Sequence, residues 1–272
     1  MEKISSIDTL KDKVAIVTGG SGGIGRGVAL QLAARGAHVV INGRSRARAQ
    51  AVLQEIRDLG GRACFAAGDV CSKTDMDSVV AEAERQYGGV DIVVANAGGN
   101  DDEARTPQVR GPFESIDLER VTAFVGKAMA AKLMIVQAAV PSMRQRGGGS
   151  VVFITSEGGR SPTRGQTAIA TFSGGLIAGS KVLAKELIKD RIRVNCVCVT
   201  VVRDTPSWNA AFGAQSVVSE MHRKQYETIV SRSPLGVADP LAIGNIAAFL
   251  ASDDSAYLTG AAVSPTGGLT IH

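Results

Sequence analysis

The amino-acid sequence predicts an α/β protein. It reads as one domain over 1–272, a doubly wound parallel sheet of about seven strands with helices on both faces. Three observations carry the prediction. Short apolar runs alternate with longer segments of helical period along the whole chain. Strands apolar at successive positions are buried on both faces, and right-handed crossovers wind such strands into a two-sided sheet. The first run also stops at a glycine-rich turn that opens a helix, and 272 residues with 44% apolar and 21% charged side chains suit one soluble α/β domain.

The first strand, 14–18, is the run Val14-Ala15-Ile16-Val17, and the helix at 24–35 begins as soon as the glycines end. The second strand, 38–42, carries Val39-Val40-Ile41 and leads to a helix at 47–59. A third, 63–67, precedes a helix at 73–87, and the fourth, 92–95, is Ile92-Val93-Val94-Ala95. A long helix at 118–146 leads to the fifth strand, 150–155, and a second at 168–189 leads to the sixth, 194–199. A helix at 240–251 and a short strand at 261–264 close the chain. Two segments fit this alternation poorly. The stretch 99–111 is polar, and 205–234 holds a helical piece between Pro206 and Pro234 with Trp208 and Phe212 near its start. Both follow strands, so both should border the ligand cleft at the carboxyl ends of the sheet. The second reads as a substrate lid or as a surface insertion.

Composition narrows the function. The formal net charge of +4 is spread along the chain. Its one tight basic cluster, Arg44, Arg46 and Arg48, has no interleaved aromatics, which argues against a nucleic-acid partner. The cysteines Cys64, Cys71, Cys196 and Cys198 read as free thiols, and the scattered His38, His222 and His272 form no metal-site spacing. No uninterrupted apolar run approaches a membrane span, and the first residues carry no apolar signal core, so a cytoplasmic, membrane-free protein is expected.

The glycine turn carries the first chemistry. Gly20, Gly22 and Gly25 match G-x-G-x-x-G, and Thr18, Gly19, Gly23 and Gly25 match T-G-x-x-x-G-x-G, with Ser21 and Ile24 between. A strand, such a turn and a helix N-terminus together hold a dinucleotide pyrophosphate, as in a Rossmann fold. The second strand ends in Asn42-Gly43-Arg44-Ser45, and no acidic residue lies between Lys13 and Glu55. An acidic side chain here binds the ribose 2′-hydroxyl of NAD(H). Arg44 instead suits a 2′-phosphate, with Ser45 and Arg46 adding donors, so NADP(H) is favoured over NAD(H). The alternative for Arg44 is a solvated surface charge.

Further motifs carry a resemblance. Gly68-Asp69-Val70 follows the third strand, Asn96-Ala97-Gly98 follows the fourth, and the chain ends with Phe249-Leu250-Ala251-Ser252, Leu258-Thr259-Gly260 and Gly267-Gly268. With the glycine turn, these resemble the short-chain dehydrogenase/reductase family from about residue 10 to 268. The resemblance implies that Asp69, beside Val70, meets the adenine. It places Asn96, Ala97 and Gly98 under the adenine-side ribose and Thr205 at the nicotinamide end. The family's Pro-Gly ahead of that threonine is Val199-Thr200 here.

The catalytic half departs from the family pattern. The resemblance implies a serine that polarises the reacting carbonyl, a tyrosine acid/base, a lysine four residues on, and an asparagine on the preceding helix. Ser156 matches the serine. With the register anchored at Leu183-Ala184-Lys185-Glu186-Leu187, Ile169 falls on the tyrosine and Ser173 on the lysine. The asparagine position is Val125 or Ala128, and no tyrosine lies between Tyr87 and Tyr226. Lys181 lies too far along the helix to replace the lysine. Glu157, Arg160, Arg164, Thr167, Lys127, Thr200 and Arg203 are the other polar candidates for the cleft. Glu157, next to Ser156, is either a partly desolvated acid or base or a solvated loop glutamate. Lys127 reads as an exposed helix lysine.

Three readings follow. The first is an NADP(H)-dependent oxidoreductase with altered proton-transfer groups, Ser156 with Glu157 or water. The second is a non-redox cyclase, isomerase, lyase or dehydratase on the same scaffold, and the third a catalytically silent nucleotide-binding or partner subunit. The lid residues Trp208, Phe212 and Val217-Val218 point to a small apolar or cyclic substrate. The resemblance implies a homotetramer or homodimer built through the two long helices.

Overall fold

The computed structural model describes residues 9–99, 102–214 and 218–272. Seven parallel strands form one sheet in the order β3-β2-β1-β4-β5-β6-β7. They are β1 (Val14–Thr18), β2 (His38–Gly43), β3 (Arg62–Ala67), β4 (Ile92–Ala95), β5 (Gly149–Ser156), β6 (Ile192–Val199) and β7 (Ala262–Val263). The helices between them are α1 (Gly23–Ala33), α2 (Arg46–Asp58), α3 (Lys73–Tyr87), α4 (Leu118–Gln145), α5 (Thr167–Leu187), α6 (Pro206–Phe212), α7 (Glu220–Arg232) and α8 (Pro240–Ala251). The expected doubly wound fold is therefore present, with most boundaries within two residues. The seventh strand is shorter than expected, because only Ala262 and Val263 pair with β6.

Side-chain alternation divides the sheet into two cores. Val14, Ile16, Val40, Val93, Val151 and Phe153 pack on α3, α4 and α5. Ala15, Val17, Val39, Ile41, Val94 and Val152 face the opposite way, onto α1, α2 and α8. Local chemistry sets where the helices begin. Ser45, Ser72, Asp117, Thr205, Ser219 and Asp239 each accept a backbone N–H at the start of α2, α3, α4, α6, α7 and α8. By length and composition alone, α4 and α5 are apolar enough to cross a membrane. Here each packs along the sheet as a core helix.

The 205–234 segment differs from the sequence reading in one respect. It holds two helices, α6 and α7, each with its own cap, rather than one stretch. Trp208, Phe212, Val218 and Ile229 gather with Val201, Ala211 and Tyr226 into a third, small cluster. Val217 lies outside the described residues.

Strand order reverses between β1 and β4, and this switch point is stapled by side chains. Thr18 Oγ1 accepts the backbone N–H groups of Asn96 and Ala97, both at 3.0 Å, and Asn96 Nδ2 donates to the Thr18 carbonyl at 3.0 Å. At the opposite end, buried Asp91 accepts from Val14 N at 2.8 Å and from two guanidinium nitrogens of Arg146 at 2.9 and 3.2 Å. Both ends of β1 and β4 are therefore fixed, and a crevice opens over their carboxyl ends.

Candidate active site

Two adjoining cavities of about 610 Å³ and 450 Å³ occupy this crevice and share Arg44, Ala97, Gly98 and Gly99. The larger is bordered by Gly19, Ser21, Arg44, Ser45, Asp69, Val70, Ala97 and Gly98. The smaller is bordered by Gly22, Gly23, Ile24, Asn96, Ser156, Glu157 and Thr205. Gly25 lies behind the wall, and its place there is steric. A Cβ at Gly25 would stand 2.2 Å from the Gly19 carbonyl oxygen.

The turn's geometry selects between the two glycine templates. Gly19 and Gly23 hold φ of +65° and +50°, a region that side-chain-bearing residues rarely adopt. Gly22 is extended and faces open space. The Gly19, Gly23 and Gly25 spacing is thus the one that the backbone requires. The first turn of α1 carries no acidic residue and no side-chain cap, so its N–H groups and positive dipole end stay available to an anion. Thr205 lies beside this turn. Its Oγ1 donates to the Val202 carbonyl at 2.8 Å and accepts from Trp208 N at 3.2 Å.

At the end of β2, one expectation is corrected. Arg44 and Ser45 line the larger cavity, but Arg46 does not. Its guanidinium lies over the Phe65 ring, 5.2 Å from the centroid, while Arg48 takes the second basic place in the wall. Helix geometry explains the exchange, since Arg46 and Arg48, two apart in the first turn of α2, point in different directions. Asp69 is held by its own loop, with Oδ1 accepting from Cys71 N at 2.9 Å. These walls fit a dinucleotide: a long crevice, an uncapped helix N-terminus and a basic end.

At the catalytic end, Ser156 Oγ accepts from Gly158 N at 3.1 Å and lines the smaller cavity. Ile169 closes the wall at the start of α5. Ser173, one turn further, is buried, and its hydroxyl has no hydrogen-bond partner among the described residues. Glu157 is not solvated: it is 3% exposed. Its Oε2 accepts from Ser264 Oγ at 2.5 Å, and its Oε1 meets Thr270 Oγ1 at 3.0 Å and His272 Nε2 at 2.5 Å. Arg160 donates to the Ala262 carbonyl at 2.7 Å and to Ser264 Oγ at 2.8 Å, so it serves the same C-terminal segment. Thr200 lines the smaller cavity and Lys127 the larger. Arg203 is half exposed and pairs with Asp239 at 2.8 Å, and Arg164 and Thr167 are exposed.

Lys132 and Arg110 line the cleft but were missed from sequence. Lys132, on α4, is 1% exposed and lines the smaller cavity. Its Nζ donates to the Asn96 carbonyl at 2.6 Å and to the Ala95 carbonyl at 3.2 Å. Burial pushes its pKa down to about 7. The signal was present in the sequence. Lys132 follows Ala128 by four residues, which places it on the same face, among Ala131, Ile135 and Val136. A lone lysine inside an apolar stripe asks for a reason.

Known proteins agree with this geometry. The short chain dehydrogenase family pattern matches residues 13–230. The chain belongs to the short-chain dehydrogenase/reductase family. Dehydrogenase/reductase SDR family member 4 of Homo sapiens is 32% identical over 267 residues, covering 96% of this chain and 88% of that protein. A 3-oxoacyl acyl-carrier-protein reductase of Thermotoga maritima is 31% identical over 263 residues, covering 96% and 99%. The solved structure of a 7α-hydroxysteroid dehydrogenase with NADH and 7-oxo glycochenodeoxycholic acid superposes with a TM-score of 0.82 at 26% identity, covering 97% of each chain. The family binds a nicotinamide cofactor and acts on small molecules, which is the chemistry of a crevice with a nucleotide half and a smaller half.

Proposed function

We propose that this protein is an NADP(H)-dependent oxidoreductase with a non-standard active site. Arg44 carries the cofactor preference. It lines the crevice at the end of β2, with Ser45 and Arg48 beside it. A bound nicotinamide supplies or accepts the hydride. The chain's own residues do the rest. Gly19, Ser21, Gly22, Gly23 and Ile24 cradle the pyrophosphate, with Gly25 behind them. Asp69 and Val70 border the adenine, Asn96, Ala97 and Gly98 the ribose, and Thr205 the nicotinamide end.

Ser156 is the hydrogen-bond donor to the reacting oxygen in this reading. Ile169 and Ser173 stand where the family's tyrosine and lysine stand, so proton exchange falls to another group. Glu157 is the candidate, joined to the cleft through Thr270, which lines it. Fluorescence titration tests the cofactor assignment. NADPH is expected to bind about 10- to 100-fold more tightly than NADH, and Arg44→Ala to remove that difference. Equal affinities in the wild type refute it. A carbonyl and alcohol panel followed at the nicotinamide absorbance then tests hydride transfer.

A second reading, non-redox chemistry on the same scaffold, is favoured by the apolar Ile169 in the cleft wall. Tight NADPH binding without turnover on any carbonyl or alcohol supports it. We further propose a homodimer or homotetramer formed through α4 and α5, where Leu118 and Val182 stay exposed. Sedimentation measures the mass directly.

A further inference from the structure

Arg110 is a buried cation of the cleft that the reading above leaves unused. It is 7% exposed and lines the smaller cavity. Its Nε donates to Gln225 Oε1 at 3.3 Å, and its guanidinium lies over the Tyr226 ring, 5.4 Å from the centroid. Gln225 and Tyr226 belong to α7, so Arg110 ties the segment after β4 to the lid. No carboxylate among the described residues pairs with it: its neighbours are an amide and a phenol. A guanidinium keeps its proton at physiological pH, and burial without a counter-charge is strongly unfavourable.

The surroundings add to the deficit. Arg105 points its charge at Asp102, which is fully exposed. His222, buried against Tyr226, has no hydrogen bond at either ring nitrogen among the described residues. Burial, then Arg110 and Arg105, push its pKa down to about 3, so it stays neutral. The one described carboxylate lining the smaller cavity is Glu157, already engaged by Ser264, Thr270 and His272. Lys132 brings a second buried amine to the same cavity.

We propose that Arg110 anchors a carboxylate of the substrate beneath the lid, with the substrate's apolar body against Ile169, Phe172 and Ile229. The planar fork of a guanidinium matches a planar carboxylate. A phosphate site gathers more donors than one guanidinium beside an amide and a phenol. The bound anion supplies the missing counter-charge. Because Arg110 also holds Gln225 and Tyr226, the same contact secures the lid over the cleft.

The inference rests on the smaller cavity being the substrate site, not on hydride transfer, so its test measures binding. The full-length protein is titrated with benzoate and cyclohexanecarboxylate, and with benzamide and cyclohexanecarboxamide, with and without NADP⁺. Ligand-observed NMR reads occupancy, and the single tryptophan, Trp208, reads the lid. The acids are expected to bind about 10- to 100-fold more tightly than the amides. Arg110→Met and Arg110→Gln are both expected to remove the difference. The acid–amide comparison is made within the wild type, so it holds even where a variant fails to fold. Equal binding of acid and amide, or no acid binding up to about 50 mM, overturns the proposal. So does a preference that survives in both variants, or one that NADP⁺ abolishes, which would put the anion in the cofactor half. Absent turnover with the acid preference intact would sink the redox reading and leave this one standing.

Discussion

Lys132→Met removes a buried amine while keeping a flexible side chain of similar length in the α4 stripe. In the folded chain the Lys132 pKa lies near 7, against 10.5 for the free group. At about 1.4 kcal/mol per pH unit, burial therefore disfavours the charged form by about 5 kcal/mol. The sign follows from proton counting. Between the two pKa values the unfolded chain holds a proton that the folded chain has given up, so stability rises with pH there. The penalty is complete below the folded pKa and gone above the unfolded one. From about pH 7 to about pH 9 the wild type should gain about 2 kcal/mol relative to Lys132→Met. Losing the donor to the Ala95 and Asn96 carbonyls adds an offset of about 1–3 kcal/mol for each orphaned oxygen, but that offset does not depend on pH. Denaturant unfolding of both proteins at four or five pH values isolates the difference, since every other titrating group cancels. A flat difference would mean that Lys132 titrates like a solvated lysine, and the account of the cleft's charge would fail.

Three further outcomes follow from the site. Gly25→Ala places a Cβ against the Gly19 carbonyl oxygen. It should cost several kcal/mol of stability by thermal unfolding, or abolish NADPH binding in titration, because the backbone turn has no room to yield. Glu157→Gln keeps the shape but lowers acceptor strength. Turnover should fall about 100-fold with NADPH affinity unchanged if Glu157 exchanges the proton, whereas unchanged turnover limits it to anchoring the C-terminal segment. Ile169→Tyr with Ser173→Lys should raise carbonyl reduction above the wild type in a substrate panel. No rise in the double variant would show that the scaffold lacks more than this pair.

What was legible in the sequence was what depends on local pattern. Two-faced apolar runs and the turn from Gly19 to Gly25 each carry their physics within a few residues. The wall of the larger cavity was readable in part, with Arg48 standing beside Arg44 and Ser45 in place of Arg46, two residues earlier. The two helices of the 205–234 segment were less legible, because short amphipathic pieces between prolines look alike until packing separates them. Around the smaller cavity the sequence offers only the uncharged Ile169 and Ser173 where the resemblance implies a tyrosine and a lysine.

The groups that now fill that half come from distant segments, and this is why sequence reasoning did not assemble them. Glu157 meets Ser264, Thr270 and His272 across more than a hundred residues. Arg110 meets Gln225 and Tyr226 over a similar distance. Lys132 reaches the Ala95 and Asn96 carbonyls, at the end of β4, from α4. Each contact depends on where the sheet order brings chain ends together, and no spacing rule encodes it. The two halves of the crevice therefore carry different weights of argument. The glycine turn is dictated by backbone conformation, with Gly19 and Gly23 at positive φ and no room for a Cβ at Gly25. The smaller half is set by a buried lysine, a buried arginine with no carboxylate paired to it among the described residues, and a glutamate engaged by Ser264, Thr270 and His272. That balance is positive. A substrate that completes it brings the negative charge with it, and the acid–amide comparison is the measurement on which this account of specificity turns.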